Sequence, residues 1–161
     1  METETIRIKE LAKKCRQVDS VMYAINKETL KAQHRKQLQN KATGIDRVTK
    51  MEYEANLEAN IEDLLNRMKR QSYKPKAVRR VNIPKAGSNK TRPLGIPSYE
   101  DKLVQGCMAE ILNAIYEPMF EESSFGFRPN RSCHDAIMYM DKMLHRTKAN
   151  YVVDIDIKRI L

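Results

Sequence analysis

From Leu64 to Tyr99 the sequence runs LLNRMKRQSYKPKAVRRVNIPKAGSNKTRPLGIPSY, with ten Lys or Arg and not one Asp or Glu. The chain has 30 basic and 21 acidic residues in all, so outside this stretch 20 basic residues face 21 acidic ones and the net charge of +9 is concentrated here. Charge gathered in one place points to a polyanion partner more than to general solubility. Its local punctuation is that of a hairpin. Ala77 to Ile83 reads as a strand, Ala86-Gly87-Ser88-Asn89 as a turn, and Thr91 to Ile96 as a return strand closed by Pro97. Lys85 ends the first strand, Lys90 follows the turn and Arg92 lies on the return, so three cations project from a compact loop and phosphate is their natural ligand. A solvated basic loop would show the same charge run. In either case the other elements are arranged around this hairpin.

At 161 residues and 41% hydrophobic the chain is long enough for a core. Trp is absent and aromatics are only 6%, so that core must use Leu, Ile, Val and the nine Met, a supply that suits helices. Cys15, Cys107 and Cys133 are odd in number, with no Cys-x-x-Cys pair, and read as reduced thiols of a cytoplasmic protein. Cys133 and His134, adjacent on a helix, would point about 100° apart, which argues against a thiol–imidazole pair. No apolar run reaches membrane-spanning length and METETIRIKE lacks the apolar core of a signal peptide, so no membrane partner is expected.

Ile8, Leu11, Cys15, Val18, Met22 and Ile25 recur at spacings of three and four, predicting an amphipathic helix that Asp19-Ser20 could divide. The Lys-rich residues 27–50 read as a helix end and a loop, with Gly44 as breaker. Thr49-Lys50-Met51-Glu52 is a capping box, opening a helix whose inward stripe is Leu57, Ile61, Leu64, Leu65 and Met68. After the hairpin, Ser98 caps a helix with the broadest apolar face in the chain, from Leu103 and Val104 through Cys107, Met108, Ile111, Leu112, Ile115 and Tyr116 to Met119. Ser132 caps another, with Ile137, Met140 and Leu144 inward. Tyr151 to Lys158, YVVDIDIK, alternates strictly and predicts a strand. Asp154 and Asp156, at i and i+2, would place two carboxylates on one strand face about 7 Å apart. That arrangement suits Mg²⁺, which takes hard oxygen ligands from one or two carboxylates and substrate phosphates. It equally suits a solvent-facing strand edge.

Four ordered motifs now sit on the chain: ATGIDRVT (Ala42 to Thr49), IPKAGSNKTRPLGIPSYEDKLVQ (Ile83 to Gln105), SFGFRPNRSCHDAI (Ser124 to Ile137) and YVVDIDIK. Together they resemble the reverse transcriptase/maturase proteins encoded by group II introns. The resemblance implies an α+β chain from a right-hand polymerase, largely helical with a basic β-hairpin. Residues 1–48 would be an N-terminal helical extension, 49–122 the fingers with the hairpin at 77–96, and 123–161 the start of the palm with its first strand. It implies that Lys85 and Arg92 contact the triphosphate of the incoming dNTP. Asp156 would be the first metal-binding, catalytic aspartate, with Asp154 as the second candidate. Arg79, Arg80, Lys90, Arg128 and Arg131 would contact RNA, and Phe125 and Phe127 would lie near template or nucleotide. The partners implied are group II intron RNA and an RNA template with its DNA primer, and the cofactor is Mg²⁺ in a two-metal site.

Two departures from the family pattern bear on activity. The family continues from Ile-Lys into a glycine, two aromatics and an acidic residue, where this sequence has Arg159, Ile160 and Leu161. It also lacks the Tyr-Ala-Asp-Asp motif that supplies the remaining catalytic carboxylates. The chain is therefore expected to bind RNA without polymerising, as the N-terminal part of an RNA-directed DNA polymerase that also assists splicing. A non-catalytic RNA-binding module or an inactive truncated remnant is the alternative. An unpaired strand at Tyr151 to Lys158 would favour self-association.

Overall fold

The computed structural model describes Ile6 and residues 8–10, 21–87, 89–147 and 150–157. Ile6 and residues 8–10 are helical and Ile8 is buried, while Leu11, Cys15, Val18 and the Asp19-Ser20 break lie outside the described residues. A 3-10 turn at Val21–Ala24 leads to Asn26, whose side chain accepts from the N–H groups of Glu28 and Thr29 at 3.0 Å each. Thr29 returns a bond to the Asn26 N–H, and this reciprocal cap opens α1 (Lys27–Lys36), a full helix where the sequence suggested only a helix end. Thr49 and Glu52 make the expected capping box before α2 (Lys50–Ala55). The single helix expected from Thr49 is broken at Asn56 (φ −128°, ψ 39°), and α3 (Leu57–Lys69) resumes after it. The side-chain amide of Asn60 donates to the Tyr53 carbonyl across the break. Strands β1 (Arg79–Pro84) and β2 (Thr91–Ile96) form one antiparallel hairpin, followed by α4 (Tyr99–Tyr116) and α5 (Cys133–Arg146). Among the described residues the chain is mostly helical with one β-hairpin, consistent with an α+β class.

Two compact units divide at Pro118 and Met119. In the first, α1 packs against both α3 and α4. Its core takes Leu30 from α1, Ile61 and Leu64 from α3, and Leu103, Cys107 and Ile111 from α4. Burial pushes the Cys107 thiol up to about 11, as expected of a packing residue. The apolar face of α4 is narrower than its sequence suggests. Leu103, Cys107, Ile111 and Ala114 are buried, but Leu112 is 44% exposed, because it lies about 100° round the helix from Ile111.

In the second unit α5 has the capping box expected from Ser132 and Asp135, yet none of its residues is buried. Ile137, Met140 and Leu144, the expected inward positions, are all exposed. The expected strand at Tyr151 to Lys158 is not formed: residues 150–157 have no regular secondary structure, and Lys158 lies outside the described residues. A strand exists only through ladder bonds to a neighbour, and an alternating sequence supplies the faces without supplying that neighbour.

Candidate nucleic-acid and nucleotide interface

The hairpin register pairs Arg79 with Ile96, Val81 with Leu94 and Ile83 with Arg92 on one face. Arg80, Asn82 and Pro84 lie on the other, opposite Gly95, Pro93 and Thr91. Arg79 and Arg92 therefore bracket a strip of Val81, Ile83 and Leu94, while Arg80 points away from it. At the tip the Lys85 N–H donates to the Lys90 carbonyl at 2.9 Å, closing the turn so that the two lysines flank it. Gly87, at φ 71°, supplies the left-handed residue the turn needs. Lys85, Lys90 and Arg92 are thus brought together at the tip, and Arg79 and Arg80 are separated onto two faces at the base. Among the described residues Arg80, Lys85 and Arg92 have no acidic partner, so their charge is directed to solvent and to whatever anion approaches.

A two-stranded hairpin is marginal alone, and this one is braced by a buried carboxylate. Asp101, in the first turn of α4, is only 3% exposed. One oxygen accepts from the Tyr73 hydroxyl, and the other accepts from the Lys76 N–H at 3.0 Å and the Ser98 hydroxyl at 2.6 Å. Tyr73 and Lys76 precede β1 and Ser98 follows β2, so Asp101 clamps both legs. Burial alone would push its carboxyl up, but the bonds from Ser98, Tyr73 and the Lys76 N–H outweigh it and hold the group below the usual range. Burial and the same bond push the Tyr73 phenol up. The sequence signalled Ser98 as a cap without revealing the clamp, because its partners are 25 and 28 residues away from Asp101.

The ATGID segment is drawn onto the same base. A Cβ at Gly44 would stand 2.5 Å from the Pro97 carbonyl oxygen and 2.6 Å from the Ser98 Cα, so only glycine permits this approach. Arg79 Nε donates to the Thr43 carbonyl at 2.9 Å, and Lys76 Nζ lies 3.3 Å from an Asp46 carboxylate oxygen. Two motifs more than 30 residues apart in sequence thereby meet.

In the second unit Arg128 and Arg131 organise the loop before α5. Arg128 donates to the carbonyls of Glu121 and Ser124 at 2.8 and 2.9 Å, and its guanidinium lies 5.2 Å from the Phe120 ring centroid. Arg131 stands over Phe125 at the same distance, and Phe125 packs against Tyr139. Phe127, at φ 57°, presents a fully exposed ring. Asp154 and Asp156 lie in the irregular segment 150–157, both exposed. Two carboxylates from one segment do not complete a metal site, and no group of three ligating side chains comes together among the described residues.

Residues 83–160 match the reverse transcriptase (RNA-dependent DNA polymerase) family. This match spans 78 of the 161 residues, just under half of the chain. The chain is 50% identical over 80 residues to the group II intron-encoded protein LtrA of Lactococcus lactis subsp. cremoris, covering 50% of this chain and 13% of LtrA. It is 37% identical over 117 residues to protein YkfC of Escherichia coli K12, covering 71% of this chain and 30% of YkfC. An uncharacterized 91 kDa protein in a cob intron of Schizosaccharomyces pombe is 46% identical over 77 residues, which is 48% of this chain and 9% of that protein. Each match thus takes in less than a third of the relative's length. Lys85, Lys90, Arg92, Arg128, Arg131, Asp154 and Asp156 fall inside the reverse transcriptase segment, whereas Arg79 and Arg80 precede it.

Proposed function

We propose that this chain is the N-terminal part of a group II intron-type reverse transcriptase, and that by itself it is an RNA- and nucleotide-binding unit. The observation that carries the reading is the braced basic hairpin, which lies largely in the reverse transcriptase segment and presents Arg80, Lys85 and Arg92 without acidic partners among the described residues. In this reading residues 1–48 are the helical extension, 49–122 the fingers and 123–161 the start of the palm. Lys85 and Arg92 neutralise the triphosphate of an incoming dNTP, where charge-assisted bonds from a fixed fork are strongest. Arg79, Arg80 and Lys90 hold RNA phosphates, and Arg128 and Arg131 shape the loop that meets the template. Reverse transcriptases use Mg²⁺, and Asp156 with Asp154 beside it is this chain's contribution toward holding it. Because that contribution is incomplete, the chemistry of these residues is binding and charge neutralisation. The partners are intron RNA and primed template, and assistance to splicing belongs to the whole protein.

The test replaces Arg79, Arg80, Lys85 and Arg92 together by Ala and measures binding to a structured RNA across a salt series. Removing one cation from a phosphate lowers the salt slope by about one, so a fall of several is expected. An unchanged affinity and slope would refute the electrostatic reading. In a primer-extension assay with Mg²⁺, the 161-residue chain and its Asp156→Ala variant are both expected to bind RNA and synthesise nothing. Template-dependent synthesis by the unaltered chain alone would show that Asp156 works with carboxylates from elsewhere, such as a second copy.

A further inference from the structure

On the first unit, where the connection after α1 meets the start of α2 and the first turn of α4, lies a cavity of about 130 Å³. Lys41, Lys50 and Lys102 reach it from these three separate parts of the chain, Gln37 and Thr49 add polar groups, and Tyr99 supplies an aromatic wall. Among the described residues its lining includes no carboxylate. The half-buried Lys50 and Lys102 are held in place by backbone: Lys50 Nζ donates to the Gln37 carbonyl at 2.8 Å, and Lys102 Nζ to the Ala42 carbonyl at 2.6 Å. An ammonium has three hydrogens, so each keeps two to give. Among the described residues none of the three lysines has an acidic partner, and Glu52, the acidic group of the adjoining turn, is occupied by the N–H and hydroxyl of Thr49. Lys50 and Lys102 each stand in the first turn of a helix, the end at which the macrodipole disfavours a cation, so helix stability does not account for them.

We propose that this cavity is a phosphate site that takes a backbone phosphodiester of bound RNA, a second anchoring point beyond the hairpin. It rests on the RNA-binding reading above. The cavity has room for a phosphate group. Its placement favours a strand over a free ion: Lys102 holds the Ala42 carbonyl and Arg79 the Thr43 carbonyl, so cations on successive residues of one loop join the cavity to the hairpin base. A backbone with repeating phosphates can occupy such a track, with ammonium groups already positioned and little ordering left to do on binding. Leu38 and Met51, exposed at the cavity's rim, offer apolar contact to the sugars on either side.

The test compares the chain with Lys50→Gln/Lys102→Gln, with Lys50→Arg/Lys102→Arg and with Lys41→Gln, each bound to a structured RNA across a salt series and each checked by its urea midpoint. The Gln double variant is expected to bind roughly tenfold more weakly and to lower the salt slope by about two. The Arg double variant should recover most of the affinity, and Lys41→Gln should lower the slope by about one. Lys41 makes no hydrogen bond among the described residues, so its variant tests the site even if the double variant is destabilised. An unchanged slope in every folded variant would overturn the site, while a hairpin variant that still weakens RNA binding would leave the RNA reading standing. Failure of the unaltered chain to bind RNA would remove both. Titration with dATP and with inorganic phosphate separates the sources: loss of those ligands in the Gln variants with RNA binding unchanged would overturn the backbone assignment in favour of a free phosphate compound.

Discussion

Helices α4 and α5 begin alike and end differently. Each opens with a serine whose hydroxyl accepts an N–H three residues on, from Asp101 in one and Asp135 in the other, and each has apolar residues at helical spacing. Yet α4 buries Leu103, Cys107, Ile111 and Ala114, and α5 buries nothing. Even the two caps diverge. Ser98 is wholly buried, and its aspartate accepts from Tyr73 and Lys76 as well as from Ser98, whereas Ser132 and Asp135 form an exposed box that serves the helix alone. The comparison teaches that capping and periodicity make a helix, whereas burial depends on what other elements bring against its apolar side.

The largest expected effect comes from deleting that burial. Leu103→Ala should cost about 2–5 kcal/mol by transfer and cavity terms, and Ile137→Ala, at a position 60% exposed, less than about 0.5 kcal/mol. Urea midpoints followed by circular dichroism measure both, and equal losses would mean that α5 is buried in solution after all. Next is Asp101→Asn, expected to cost about 1.5–3 kcal/mol because charge-assisted bonds to both hairpin legs are weakened. This substitution also changes the pH dependence. The folded carboxyl titrates below its unfolded value of about 3.9, so its contribution is complete above that pH and is lost as pH falls through the lower folded value. A series of urea midpoints against pH should therefore show a shallower acid limb in Asp101→Asn than in the unaltered chain, and parallel limbs would refute the clamp. The smallest effect sharpens the contrast between the caps. Ser98→Ala is expected to cost about 1–2 kcal/mol and Ser132→Ala about 0.5–1 kcal/mol, since each serine donates to its aspartate but only the Ser98–Asp101 bond is buried and braces the hairpin.

Much of the site could be read from the chain before its fold. The acid-free stretch, the turn at Ala86-Gly87-Ser88-Asn89 and the strand-like runs on either side predicted the hairpin, and the observed strands lie within the predicted boundaries apart from one residue at the end of β1. The four motifs led to the family that residues 83–160 match. What the residues did not reveal was Asp101 as a clamp, Gly44 as the close approach that brings the ATGID loop to Pro97, and the lysines that gather at one cavity. α1 could have been found from Asn26 and Thr29, a cap of the same reciprocal kind as those at Thr49 and Ser132.

The sequence by itself determined where the capped helices start, where the hairpin turns and where the positive charge is placed, because caps, turn residues and net charge act over a few residues and need no distant partner. Only the tertiary structure decided that Leu112 lies at the surface while Ile111 is buried, that Ile137 and Leu144 face no core, and that YVVDIDI forms no strand. An apolar stripe or an alternating run has two possible fates, and the one realised depends on surfaces and backbone bonds supplied by residues far away in sequence. Asp154 and Asp156 show this most directly, since their two-residue spacing is a property of the chain, while a metal site is a property of several segments held together.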